Sequence, residues 1–155
     1  MTKAYRISQV YDIAHNFITD RTSFMSINQT NSAIKYKFSQ KFMSGDVYTL
    51  SIIQPIGPVI KPHFSVRDWE VDYKLGSIIL EHNGQNLMLA QTRHSVGKAA
   101  DKTTSDAEKW LTRIKSRKFF DLIDLVKQRT AGNLPLQNNS KEIFNIVHRL
   151  QELQK

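Results

Sequence analysis

The first apolar residues fall into a helical rhythm. Ile7, Val10, Tyr11, Ala14, Phe17 and Ile18 recur three and four positions apart, with Gln9, Asp12, Asn16 and Thr19 between them. The spacing predicts one amphipathic helix, starting near residues 3–6 and ending near Asp20. Residues 22–32 then carry mostly small and polar side chains and read as a loop or short capped turn. From Ile34 the rhythm drops to two: Ile34, Tyr36 and Phe38 alternate with Lys35, Lys37 and Ser39. That alternation predicts a half-buried strand showing its lysines to solvent. Ser44-Gly45-Asp46 supplies a turn, and residues 47–53 predict a second strand, too apolar at its end to be an exposed edge.

Pro55, Gly57, Pro58 and Pro62 interrupt regular structure and mark a bend or crossover. Phe64, Val66, Trp69, Val71 and Tyr73 predict further strand. Two apolar runs, 77–82 and 85–90, flank Asn83-Gly84. This is a strong hairpin signal, because a type I′ turn needs positive φ at both central positions. Residues 92–104 read as a linker or exposed loop. Ser105 with Glu108 forms a capping-box pattern, and Trp110, Leu111, Ile114, Phe119, Leu122, Leu125 and Val126 extend it into a helix to about Arg129. Gly132 and Asn133 suit the left-handed geometry that ends a helix. Asn139 with Glu142 repeats the capping pattern, and Ile143, Ile146, Val147, Leu150 and Leu153 predict a terminal helix, expected to pair antiparallel with the one before it.

The expected fold is therefore α+β: an N-terminal helix, an antiparallel meander of four to six strands, and two C-terminal helices. Residues 1–95 and 105–155 are expected to pack as one compact unit. The alternative is a winged helix-turn-helix, in which residues 22–42 are helical and Asn28, Gln29, Asn31 and Lys35 lie near a recognition helix.

Composition narrows the chemistry. The 155 residues contain no cysteine, which excludes a disulfide framework, a thiol nucleophile and a thiolate zinc site. No apolar run approaches the ~18–20 residues of a membrane span, and the polar start lacks a signal-peptide core. A soluble, cytoplasmic protein is the expectation. Lys and Arg number 22 against 14 Asp and Glu, a formal net charge of +8. An excess of this size points toward a polyanionic partner.

Its distribution locates two patches. Between Arg21 and Gly45 lie Arg21, Lys35, Lys37 and Lys41 and no acidic residue, among Asn28, Gln29, Asn31 and Gln40. Such side chains donate to phosphate oxygens and read base edges. In the second patch Lys109, Arg113 and Arg117 are spaced four apart, so a helix would put them on one face, widened by Lys115 and Lys118. Arg93, Lys98 and Lys102 precede them. Each patch also has a plain structural reading. Outward lysines guard an edge strand, and Asp106, Glu108, Asp121 and Asp124 can pair with the basic helix face.

The leading expectation is a non-catalytic nucleic-acid-binding protein, DNA ahead of RNA, in an accessory or regulatory role. A basic face meeting an acidic protein is the alternative. A third is a small Mg²⁺-dependent nuclease, from Asp72-Tyr73-Lys74 with Asp46 upstream. Gly97-Lys98-Ala99 lacks the hydroxyl and the upstream glycine of a phosphate loop. His15, His63, His82, His94 and His148 have no metal-ligand spacing. His82-Asn83 reads as turn chemistry, and His15 and His148 as structural. No metal or cofactor is expected.

Overall fold

The computed structural model describes residues 4–56, 75–92 and 111–153. The strand expected over 64–73, the loop after Thr92, the capping box of Ser105 and Glu108, Asp72-Tyr73-Lys74, and Arg93, Lys98, Lys102 and Lys109 all lie outside the described residues. Helix α1 spans Ile7–Thr19, followed by strands β1 (Phe24–Gln29), β2 (Ala33–Lys41), β3 (Val47–Pro55), β4 (Ser77–His82), β5 (Gln85–Thr92) and β6 (Arg113–Ile114). Helices α2 (Ser116–Thr130) and α3 (Ser140–Leu153) complete the described elements. The six strands form one sheet in sequence order. All neighbours are antiparallel except β5 and β6, which are parallel. The layout is α+β, and no described helix is long and apolar enough to cross a membrane.

Period-two patterning builds the core. Tyr36 and Phe38 on β2, Leu50 and Ile52 on β3, Ile78 and Leu80 on β4, and Leu89 on β5 are buried in one cluster with Ile13 and Phe17 of α1, Phe119 and Ile123 of α2, and Ile143 and Val147 of α3. Full burial of a side chain such as Phe38 or Leu50 contributes about 1.5–3 kcal/mol. The helices therefore cover one face of the sheet. The Asn83-Gly84 hairpin has φ of 51° and 77° at its two central residues and sets Leu80 opposite Leu87, as the sequence requires.

Four expectations need correction. Residues 22–32 are not a loop: six of them form β1, paired residue by residue with β2. Backbone pairing and Met25, partly buried against the core, outweigh the weak strand preference of Ser, Asn and Gln. The same pairing removes the winged-helix alternative, because residues 24–29 and 33–41 are strands. The helix expected to run unbroken from Ser105 through Arg129 is not continuous: residues 111–115 are not helical, and the helix that reaches Thr130 starts at Ser116. Ahead of it Ile114 is fully buried in β6, where the edge of β5 supplies hydrogen-bond partners that a helix start would not: Gln91 N–H donates to the Thr112 carbonyl at 3.1 Å. The C-terminal helices each pack chiefly on α1 rather than on one another.

The β1–β2 hairpin is anchored at its root by buried polar groups. The Asp20 carboxylate, fully buried, accepts from Thr22 N–H at 2.6 Å and Thr22 hydroxyl at 2.5 Å through Oδ1, and from Asn139 N–H at 2.9 Å through Oδ2. It thus serves the first free amide of α3, where a helix favours an anion. The Asn139 amide, expected to cap its own helix, instead donates to Thr19 Oγ1 at 2.6 Å and the Asn16 carbonyl at 3.3 Å. Arg129 donates to the Ile18 carbonyl (2.9 Å), Ser23 Oγ (2.6 Å) and the Ser23 carbonyl (2.7 Å), closing the otherwise open end of α1. Burial lowers the Arg129 pKa, and the nearby Asp20 charge opposes that shift.

Candidate nucleic-acid interface

Residues opposite each other in an antiparallel pair share a face, and alternate residues along a strand share it too. Lys35 stands opposite Asn28 and Lys37 opposite Ser26, while Ser39 stands opposite Phe24. Lys41 continues the row opposite Val47. Phe24, Ser26, Asn28, Lys35, Lys37, Ser39 and Lys41 therefore lie together on the sheet face turned away from the helices. Lysines two apart on β2 are about 7 Å apart along the strand.

The face is open at the β1–β2 end and closed in the middle. Phe24 is 71% exposed and Val47 43% exposed. Ser51, Ile53 and Ile79 are buried nearer the centre, where Ala33, Ile53 and Ile79 form a small second apolar cluster with Met88. Lys35 Nζ reaches Glu81 Oε1 at 3.5 Å, with both side chains about a quarter exposed. A pair so solvated contributes at most about 1 kcal/mol. Among the described residues Lys37 and Lys41 make no ion pair.

Of the residues expected in the first patch, Asn28, Lys35, Lys37 and Lys41 are brought together. Gln29 is opposite Ile34, on the helix-side face, and Asn31 sits in the turn at the hairpin tip. Arg21 is exposed at the root, its N–H bonded to the Gln137 carbonyl at 2.8 Å. Gln40 does not belong to the surface at all. It is 4% exposed, and its amide donates to Thr22 Oγ1 (3.1 Å) and Ser140 Oγ (3.3 Å).

The second patch is broken up. Arg113 is on β6, its guanidinium near the Gln91 side chain at 3.5 Å, whereas Arg117 is in the first turn of α2, so the two share no helix face. Lys118 is drawn over the Tyr11 ring at 5.8 Å. β6 and β2 are four strand positions apart, about 19 Å. The two patches do not form one row.

Phe24, Ser26 and Ser39 share the open face and were legible only as period-two spacing within a polar segment. A cleft of about 710 Å³ also escaped the sequence. It lies between β3, the β4–β5 hairpin and α3, over Tyr48, Leu80, Leu87 and Leu150 and rimmed by His82, His148, Gln151 and Glu152. His82 stacks on Tyr48 with centroids 4.0 Å apart, and its Nε2 meets Asp46 Oδ1 at 3.2 Å. Hydrogen bonds from Ser44 and His82 hold the Asp46 carboxyl below its ordinary range. The Tyr48 hydroxyl accepts from Gln151 and is pushed up by burial and by Asp46. Among the described residues no Lys or Arg lines this cleft. Among the described residues no group of three or more His, Asp or Glu gathers as metal ligands. Comparison of the chain with protein-family models, curated proteins and solved structures finds no match.

Proposed function

We propose that the protein binds nucleic acid, without catalysis, along the open face of the β1–β2 hairpin. One observation carries the reading. β2 has β1 on one side and β3 on the other, so Lys35 and Lys37 are not guards of a sheet edge. The commonest structural reason for such lysines is therefore missing, while the amides and hydroxyls beside them are the kind that fix a phosphate backbone in register. Phe24, exposed in the same row, favours unpaired bases, since an aromatic ring on an open sheet stacks on any base face.

Fluorescence anisotropy with single-stranded and duplex DNA and RNA, at two salt concentrations, tests this. Binding should weaken as salt rises, through counterion release. Lys35→Ala with Lys37→Ala should weaken every sequence alike and flatten the salt slope by up to about two. Phe24→Ala should cost about 1–3 kcal/mol on single strands and little on duplex. Arg113→Ala with Arg117→Ala, remote from this row, should leave affinity within about twofold, since side chains so far apart act independently. Absence of binding at low salt, or affinity indifferent to the lysine pair, overturns the reading in favour of an acidic protein partner.

A further inference from the structure

Among the described residues β1 is the edge of the sheet, and its own sequence carries none of the residues that keep an edge unpaired. Its six residues, Phe24-Met25-Ser26-Ile27-Asn28-Gln29, include no charge, proline or glycine. Natural edges are blunted by lysine, proline, bulges or extreme shortness. Here the lysines stand one strand inward. All the β1 side chains except Met25 are exposed, Ile27 at 48%. Among the described residues nothing pairs with the outer side of the strand.

We propose that β1 pairs antiparallel with β1 of a second copy of this chain, centred on Ser26. In that register Ser26 faces the partner's Ser26, Met25 faces the partner's Ile27, and Phe24 faces the partner's Asn28. The strand's own sequence favours a copy of itself. Met25 and Ile27 flank the centre on the helix-side face, so each half-exposed Ile27 gains an apolar neighbour from the other copy. No charge on β1 selects a charged strand instead. The arrangement is a closed two-fold pair, the commonest form of self-association. It keeps both helix layers on one side and both lysine rows on the other, about 14 Å apart across the two edge strands. One strand pair alone buries less than the roughly 1,200–2,000 Å² of a stable interface, so the dimer is concentration-dependent.

Pairing of β1 with its copy is measurable without nucleic acid. Because the chain lacks cysteine, Ser26→Cys puts a single thiol on each copy. Directly opposed residues have Cα atoms about 4.5–5.5 Å apart, within the span of a disulfide. Asn28→Cys would set its thiols about 13 Å apart along the strands. Ser26→Cys should therefore cross-link under mild oxidation at least tenfold faster than Asn28→Cys. Sedimentation of the unmodified chain should show a monomer–dimer equilibrium. Ile27→Lys, which adds the missing edge charge at an exposed position, should abolish it with an unchanged far-UV spectrum. Equal cross-linking rates, a monomer at every concentration, or growth beyond the dimer would each overturn the proposal.

Discussion

The root and the open face of the β1–β2 hairpin are built from the same residue types and do opposite things. At the root, Asp20, Thr22, Ser23, Gln40, Asn139 and Arg129 satisfy one another, with Asp20, Ser23, Gln40 and Asn139 buried. On the face, Ser26, Asn28, Lys37 and Lys41 meet solvent, and their polar groups have no partner among the described residues. Composition counted Gln40 with the face. Only its place in the register opposite Tyr48, on the helix side, puts it in the root. The difference teaches that polar residues in an acid-free stretch are available to bind only where the fold leaves them unpaired.

The sharpest way to break the root is Asp20→Ala. It leaves Thr22 N–H, the Thr22 hydroxyl and Asn139 N–H without their acceptor, and strips the half-buried Arg129 of a nearby opposite charge. Leaving buried donors without their acceptor costs about 1–3 kcal/mol for each such group. Urea denaturation should show that loss in the midpoint. A cost below about 1 kcal/mol would mean that the root does not hold α1, α3 and the hairpin together.

A matched pair sharpens the comparison. Gln40→Ala should cost about 1–3 kcal/mol of stability, because Thr22 and Ser140 lose a buried partner. Asn28→Ala, exposed on the other face, should stay within about 0.5 kcal/mol. In binding the order should reverse: Asn28→Ala weakens nucleic-acid affinity and Gln40→Ala, measured while folded, leaves it alone. Equal effects in either assay would erase the distinction between root and face.

Local patterns revealed what local physics dictates. The stripe of α1, the alternation of β2 and the Asn83-Gly84 turn each follow from a few neighbouring residues, and each is present. Ile13, three after Val10 and four before Phe17, extends the α1 stripe and is fully buried. β1 was hidden because its strand state is conferred from outside: Ser26, Asn28 and Gln29 are extended through pairing with β2, not through their own preference. β6 was hidden for the opposite reason. A convincing capping pattern and helical spacing ran straight through Ile114, which the edge of β5 recruits into the sheet. The lysine row was readable residue by residue. That it sits one strand inside the edge was not, because strand order is a long-range property.

Between the paired root and the open face lies a third condition, a polar atom that is buried and has nothing to bond. The Tyr11 hydroxyl on α1 is enclosed and has no hydrogen-bond partner among the described residues. Its phenol is pushed up to about 12, first by burial and second by the Asp121 charge. Tyr11→Phe removes the oxygen and keeps the ring. Since deleting an unsatisfied buried group relieves a desolvation penalty, stability at neutral pH should hold or rise by up to about 1 kcal/mol. The pH dependence follows from the direction of the shift. The folded protein keeps the Tyr11 proton above the ordinary value of 10.0, so this contribution is intact below pH 10 and is lost as pH rises through about 12. In the Tyr11→Phe protein that alkaline loss should shrink, moving the base-unfolding midpoint upward. A drop of more than about 1 kcal/mol at neutral pH would instead show that the hydroxyl is bonded after all, since losing a real partner costs at least that much.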